Sequence, residues 1–124
     1  MTKQRILVAD DDPGIRRTLQ IGLTQAGYEV IEARDGEEAM RLWRDVGADL
    51  VISDIYMPDK DGIEVIRELR AESPTTPVIS MTSSGRSKNL DPLRYSATFG
   101  ASRTIAKPFT LEEMLAIVKQ VLAG

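Results

Sequence analysis

Two short apolar runs, RILVA at 5–9 and DLVISD at 49–54, stop abruptly at aspartate, and this shared ending constrains the fold more than any other feature. The first runs straight into Asp10, Asp11 and Asp12; the second ends at Asp54. Compact runs rich in branched residues, with no polar alternation, read as strands buried on both faces. Weaker runs of the same kind lie at YEVIEA (28–33), PVISMT (77–82) and TIA (104–106).

Helical patterns fill the intervals. Asp12 and Pro13 supply an N-cap and a first-position proline, and Ile15, Leu19, Gly22, Leu23 and Ala26 share a face before Gly27 stops the helix. Asp35 and Glu38 have capping-box spacing ahead of Ala39, Leu42 and Trp43. MPDKDG (57–62) is a turn; Asp59 and Asp61 read as turn residues and Gly62 as a helix entry or positive-φ site. Ile63, Ile66 and Leu69 line a third helix. Asp91 and Pro92 repeat the cap pattern before a fourth, LRYSATF, ended by Gly100. Thr110 and Glu113 open the last, whose inner stripe is Leu111, Met114, Leu115, Val118 and Leu122.

Five strands alternating with five helices predict an α/β fold, a doubly wound parallel sheet covered on both faces, in one domain spanning 1–124. No leader-like or membrane-length apolar run is present, so the expected location is cytoplasmic. A net charge of −3 is a poor match for a nucleic-acid backbone, so no direct nucleic-acid or membrane partner is expected. With no cysteine and no histidine, thiol and imidazole chemistry are excluded, leaving carboxylates, hydroxyls, Lys and Arg.

Such sheets present functional groups at the carboxyl ends of their strands. There the chain places Asp10 and Asp11, Asp54, Thr82 and Lys107. Carboxylates about 4 Å apart repel by a few kcal/mol at intermediate dielectric, so one takes up a proton or a cation binds. An all-oxygen ligand set suits Mg²⁺. An aspartate beside Mg²⁺, with a lysine and a hydroxyl aimed at the same point, suits phosphoryl transfer to carboxylate. Asp54 is the candidate acceptor, Asp10 and Asp11 the candidate metal ligands. Singly, each has a plainer reading: a helix cap for Asp11 or Asp12, a turn acid for Asp54, a snorkelling side chain for Lys107. One fold sends them to one edge, which ties these readings together.

ILVADDDPGIR (6–16), LVISDIYMPDKDGIEVI (50–66), VISMT (78–82) and AKPF (106–109), in this order and spacing, resemble the receiver domain of two-component response regulators over essentially the whole chain. The resemblance implies a flavodoxin-like sheet of order 2-1-3-4-5 and a phosphorylatable switch. It implies Asp54 as phosphoacceptor, with Asp11 binding Mg²⁺ directly and Asp10 through water. The main-chain carbonyl of Tyr56 becomes a further metal ligand, Thr82 the switch hydroxyl and Lys107 the phosphoryl counter-charge before a cis Pro108. The implied donor is a histidine kinase or histidine phosphotransfer protein; a downstream protein target follows, and a weak homodimer is compatible.

The sequence departs from the family in three places. The span from Thr82 to Lys107 is about three residues longer than is usual in the family, and SSGRSKNL (83–90) replaces the start of the fourth helix. Thr104 stands where an aromatic switch residue is usual, and Ser83 where alanine is commoner. Arg86 and Lys88 in the polar loop could answer a new phosphoryl charge. Competing functions are a receiver-shaped interaction module that is never phosphorylated and a phosphorelay intermediate. A metabolic phosphatase would want an acid where Tyr56 stands. A flavin carrier would want Ser, Thr and Gly where three aspartates stand.

Overall fold

In the computed structural model, which describes residues 3–57, 60–83 and 100–123, every apolar run named above is a strand. The strands are β1 (Arg5–Ala9), β2 (Glu29–Ala33), β3 (Leu50–Asp54), β4 (Val78–Ser83) and β5 (Arg103–Lys107). They form one parallel sheet of order β2-β1-β3-β4-β5, the expected topology. The described helices are α1 (Pro13–Gln25), α2 (Gly36–Val46), α3 (Gly62–Glu72) and α4 (Leu111–Ala123). The helix expected at LRYSATF lies outside the described residues.

Alternate strand residues feed two cores, as a sheet covered on both faces requires. Ile6, Val8, Leu50, Ile52, Ile79 and Met81 pack with Leu19 and Leu23 of α1 and Met114 and Val118 of α4. Leu7, Ala9, Val51 and Val78 face the other way, toward Ala39 of α2 and Ile66 and Leu69 of α3, with Trp43 half-buried beside them. Each large side chain buried in this way contributes about 1.5–3 kcal/mol.

The caps follow the sequence closely. Asp12 accepts hydrogen bonds from the Gly14 and Ile15 amides, and Gly27 follows α1 with φ 102°. Thr110 and Glu113 make a reciprocal capping box on α4. At α2 the box is altered: Asp35 accepts from the Glu38 amide, but the Glu38 carboxylate turns back to the Arg34 amide. Ala26, expected on the inner stripe of α1, is exposed because α1 has already ended there; Val65, unremarked in the sequence, is buried. Strand β5 extends beyond TIA at both ends because Arg103 and Lys107 continue the ladder opposite Ile79 and Ser83.

Among the described residues, no helix is long and apolar enough to cross a membrane.

Candidate functional site

The register aligns the carboxyl ends of the four strands β1, β3, β4 and β5. Ala9 pairs with Ser53, Asp54 with Met81, Thr82 with Ala106 and Ser83 with Lys107. Asp10, Asp54, Thr82 and Lys107 therefore reach one edge, as expected, with Asp11 beside them. Carboxylate oxygens of Asp10, Asp11 and Asp54 lie within 4.8 Å of one another. Asp10, Asp54 and Thr82 are buried and Asp11 is exposed. Tyr56, half-buried, lies two residues beyond Asp54 in the β3–α3 loop.

Lys107 closes the cluster. Its Nζ donates to Asp10 Oδ2 at 2.9 Å and to Asp54 Oδ2 at 3.1 Å. The second Asp54 oxygen, Oδ1, is buried and has no hydrogen-bond partner among the described residues. An unanswered buried acceptor costs about 1–3 kcal/mol. Among the described residues, three carboxylates gather beside one ammonium, which leaves the cluster net negative. An oxygen-only, anionic pocket with a free carboxylate oxygen fits Mg²⁺, with Asp10, Asp11 and Asp54 as holding residues.

The electrostatics agree. Burial pushes the Asp10 carboxyl above its ordinary range, aided by the Asp54 charge and opposed by hydrogen bonds from the Asp12 amide and Lys107. Burial alone would lower the Lys107 ammonium; its hydrogen bond to Asp10 and the charges of Asp54 and Asp10 outweigh this and raise it.

One supporting residue, Arg16, was not singled out in the sequence. Arg16 donates to the Asp10 main-chain oxygen at 2.7 Å and pairs with Glu32 of β2 at 3.5 Å, which holds the acidic loop from behind. Its position one helical turn past Asp12 was the available clue. Gly62 enters α3, and its φ is not positive. A Cβ there would strike the Asp54 carbonyl oxygen, so glycine lets the two ends of the β3–α3 loop meet beside Asp54. The Gly62 amide donates to the Ile55 oxygen at 2.8 Å, sealing that loop. The Lys107–Pro108 peptide is cis, as the resemblance implied. Thr104 pairs with Ser80 and is half-buried, while the loop with Arg86 and Lys88 lies outside the described residues.

A 2-1-3-4-5 sheet with acids and a lysine gathered at its carboxyl edge defines a doubly wound α/β domain of the receiver type. The sequence matches the response regulator receiver domain over residues 6–119, and the chain belongs to that family of phosphorylatable signalling switches. A probable transcriptional regulator, ycf27, of Porphyridium aerugineum is 42% identical over 123 residues, covering 98% of this chain and 49% of its own. The transcriptional regulatory protein TrcR of Mycobacterium tuberculosis is 35% identical over 118 residues, covering 95% and 45%. The chain thus spans about half the length of the curated relatives it matches. Among solved structures, a putative response regulator from Chloroflexus aurantiacus superposes with a TM-score of 0.90 at 30% identity, covering 99% of this chain and 100% of that one. The receiver domain of NtrX from Brucella abortus gives 0.88 at 28% identity, covering 95% and 98%.

Proposed function

We propose that this chain accepts a phosphoryl group on Asp54 from a phosphohistidine donor and uses it to change its contacts with a protein target. The observation that carries this reading is the buried Asp54 Oδ1, without a hydrogen-bond partner among the described residues, beside an ammonium held at 3.1 Å from Oδ2 of the same carboxylate.

An Asp54 oxygen attacks the donor phosphorus in line. The new O–P bond forms as the N–P bond to the donor imidazole breaks, and the imidazole leaves with the electron pair and takes up a proton. Lys107 follows the charge from the carboxylate to the phosphoryl oxygens, and the Thr82 hydroxyl donates to one of them. Asp10, Asp11 and Asp54, with the Tyr56 carbonyl, would hold Mg²⁺, which when bound neutralises phosphoryl-oxygen charge. Asp10 and Asp11 then serve as ligands and leave the acceptor role to Asp54. Arg16 keeps the Asp10 segment in place through its main-chain oxygen.

The donor class is a histidine kinase or histidine phosphotransfer protein. The downstream route differs from that of relatives with an aromatic switch, because Thr104 cannot occupy a ring's volume when Thr82 moves.

Acetyl phosphate with Mg²⁺ tests this directly. The expected result is a mass gain of one phosphoryl group that disappears in Asp54→Ala. No gain in the unmodified chain, either with acetyl phosphate or with a phosphorylated histidine kinase, would leave the interaction-module reading in its place.

A further inference from the structure

Asp10 and Asp11 are consecutive, and a single peptide group joins them. Its oxygen, the Asp10 carbonyl, accepts from Arg16 Nη1 at 2.7 Å. Arg16 stands in the first turn of α1 with its side chain only 20% exposed, and its Nε leans on Glu32 Oε1 of β2 at 3.5 Å. The Asp10 amide is tied to the same strand, donating to the Ala33 oxygen at 3.1 Å. Both main-chain groups of Asp10 are thus anchored to the end of β2, the carbonyl by way of Arg16.

The two side chains are supported unequally. Asp10 Oδ1 accepts from the Asp12 amide and Oδ2 from Lys107, both at 2.9 Å. The Asp11 carboxylate is exposed, and among the described residues no hydrogen bond or ion pair holds it. The place from which Asp11 reaches the cluster is therefore set by its main chain. A peptide group is planar, so a guanidinium that fixes the direction of the Asp10 carbonyl also fixes the plane holding the Cα atoms of both residues.

We infer that Arg16 is a specificity-determining residue for the divalent cation: propped by Glu32, it fixes the peptide plane between Asp10 and Asp11 and so favours Mg²⁺ over Ca²⁺. The inference rests on the receiver reading given above. Mg²⁺ demands near-ideal octahedral geometry, whereas Ca²⁺ accepts a larger and more flexible ligand set. Two carboxylates whose relative placement wanders therefore cost Mg²⁺ more than Ca²⁺. A purely electrostatic role has the opposite sign. Both ions carry two positive charges, and removing a cation from beside an acidic cluster tightens the binding of each. Weaker Mg²⁺ binding with a changed Mg²⁺-to-Ca²⁺ preference thus reports geometry and not charge.

The test is calorimetric binding of Mg²⁺ and of Ca²⁺ to the intact chain, compared among unmodified protein, Arg16→Met, Glu32→Ala and Arg5→Met. Arg16→Met keeps an aliphatic stem and removes the guanidinium. It is expected to raise the Mg²⁺ dissociation constant about 10-fold, the lower end for residues that orient a metal ligand. The Ca²⁺ constant rises by a smaller factor, so the preference for Mg²⁺ narrows. Glu32→Ala leaves the guanidinium without its prop and narrows the preference in the same direction by less. Arg5→Met is the control. Arg5 makes the same pair of contacts at the amino end of β1, to Glu29 of β2 at 3.1 Å and to the Val46 oxygen at 2.6 Å. Its loss lowers the melting temperature and leaves both constants unchanged. An unchanged preference in Arg16→Met overturns the inference; should that variant fail to fold, an unchanged preference in Glu32→Ala does so. An equal narrowing in Arg5→Met also overturns it. Failure of the unmodified chain to bind Mg²⁺ strikes the receiver reading instead, and is visible before any variant is compared.

Discussion

Lys107 Nζ lies 2.9 Å from Asp10 Oδ2, across 97 positions of sequence, and that one contact joins the two edges of the acidic cleft. Lys107→Ala removes the only cation that any described hydrogen bond or ion pair brings to the Asp10 and Asp54 side chains. Mg²⁺ affinity is expected to hold or rise slightly, since a competing positive charge is gone. Phosphorylation, or the spectral change that follows it, falls sharply. Parallel Mg²⁺ titration and acetyl phosphate kinetics separate the two effects, and a variant that phosphorylates and switches normally removes Lys107 from the mechanism.

Asp11→Ala should weaken Mg²⁺ binding and slow phosphorylation by matching factors at low Mg²⁺. Asp11 is exposed, so the fold should tolerate the change with a loss within about 0.5 kcal/mol. Unaltered metal affinity would take it out of the ligand set.

Asp10 gives a pH prediction for metal-free protein. Its folded-state carboxyl is raised above the ordinary value of 3.8, burial being the main cause. The folded state therefore binds this proton more tightly than the unfolded chain does. Its contribution to stability is full below the ordinary value and is lost as pH rises through the raised one. Asp10→Asn should abolish that decline and make the metal-free protein more stable at neutral pH. It should also cut the stabilisation by Mg²⁺, which for an intact site reaches about 2.7 kcal/mol at 100 times the dissociation constant. Urea melts across acid to neutral pH, with and without Mg²⁺, check both halves.

Gly62→Ala places a methyl group against the Asp54 carbonyl oxygen, which belongs to the sheet and cannot retreat. Overpacking of this kind costs about 1–3 kcal/mol, and the displaced β3–α3 loop should also lose Mg²⁺ affinity. Gly14→Ala makes a suitable contrast, since its nearest neighbour is the Asp12 carboxylate at 3.2 Å, a side chain that can turn aside. Denaturation midpoints of the two variants should differ in that order.

Thr110→Ala breaks the α4 capping box, whose two bonds measure 3.0 and 3.2 Å. A loss of about 1 kcal/mol in stability with no change in phosphorylation rate is expected. A change in rate would show that the cap also acts on Lys107, three residues upstream.

Asp10, Asp54, Thr82 and Lys107 were legible at the carboxyl edge because each follows or ends an apolar run, and strand direction in a parallel sheet then carries them to one side. Arg16 and Lys60 were not, and Gly62 was legible as a helix entry but not for its close approach to Asp54. Arg16 acts through the Asp10 main chain and Gly62 through the space it leaves empty, and neither effect has a periodic signature. Lys60 read as an ordinary turn residue because its partners, Glu37 and Glu68, sit on two helices that meet only in the folded chain.

By itself the sequence determined the strands, the caps and which side chains would arrive at the edge, since apolar runs, capping residues and turn residues act locally. Only the tertiary structure decided that Lys107 reaches both Asp10 and Asp54, that Asp54 Oδ1 is buried with no partner among the described residues, and that Lys60 grips α2 and α3 together. Those outcomes depend on strand register and on how closely helices pack, which are set by the sum of two cores and by no single stretch of chain.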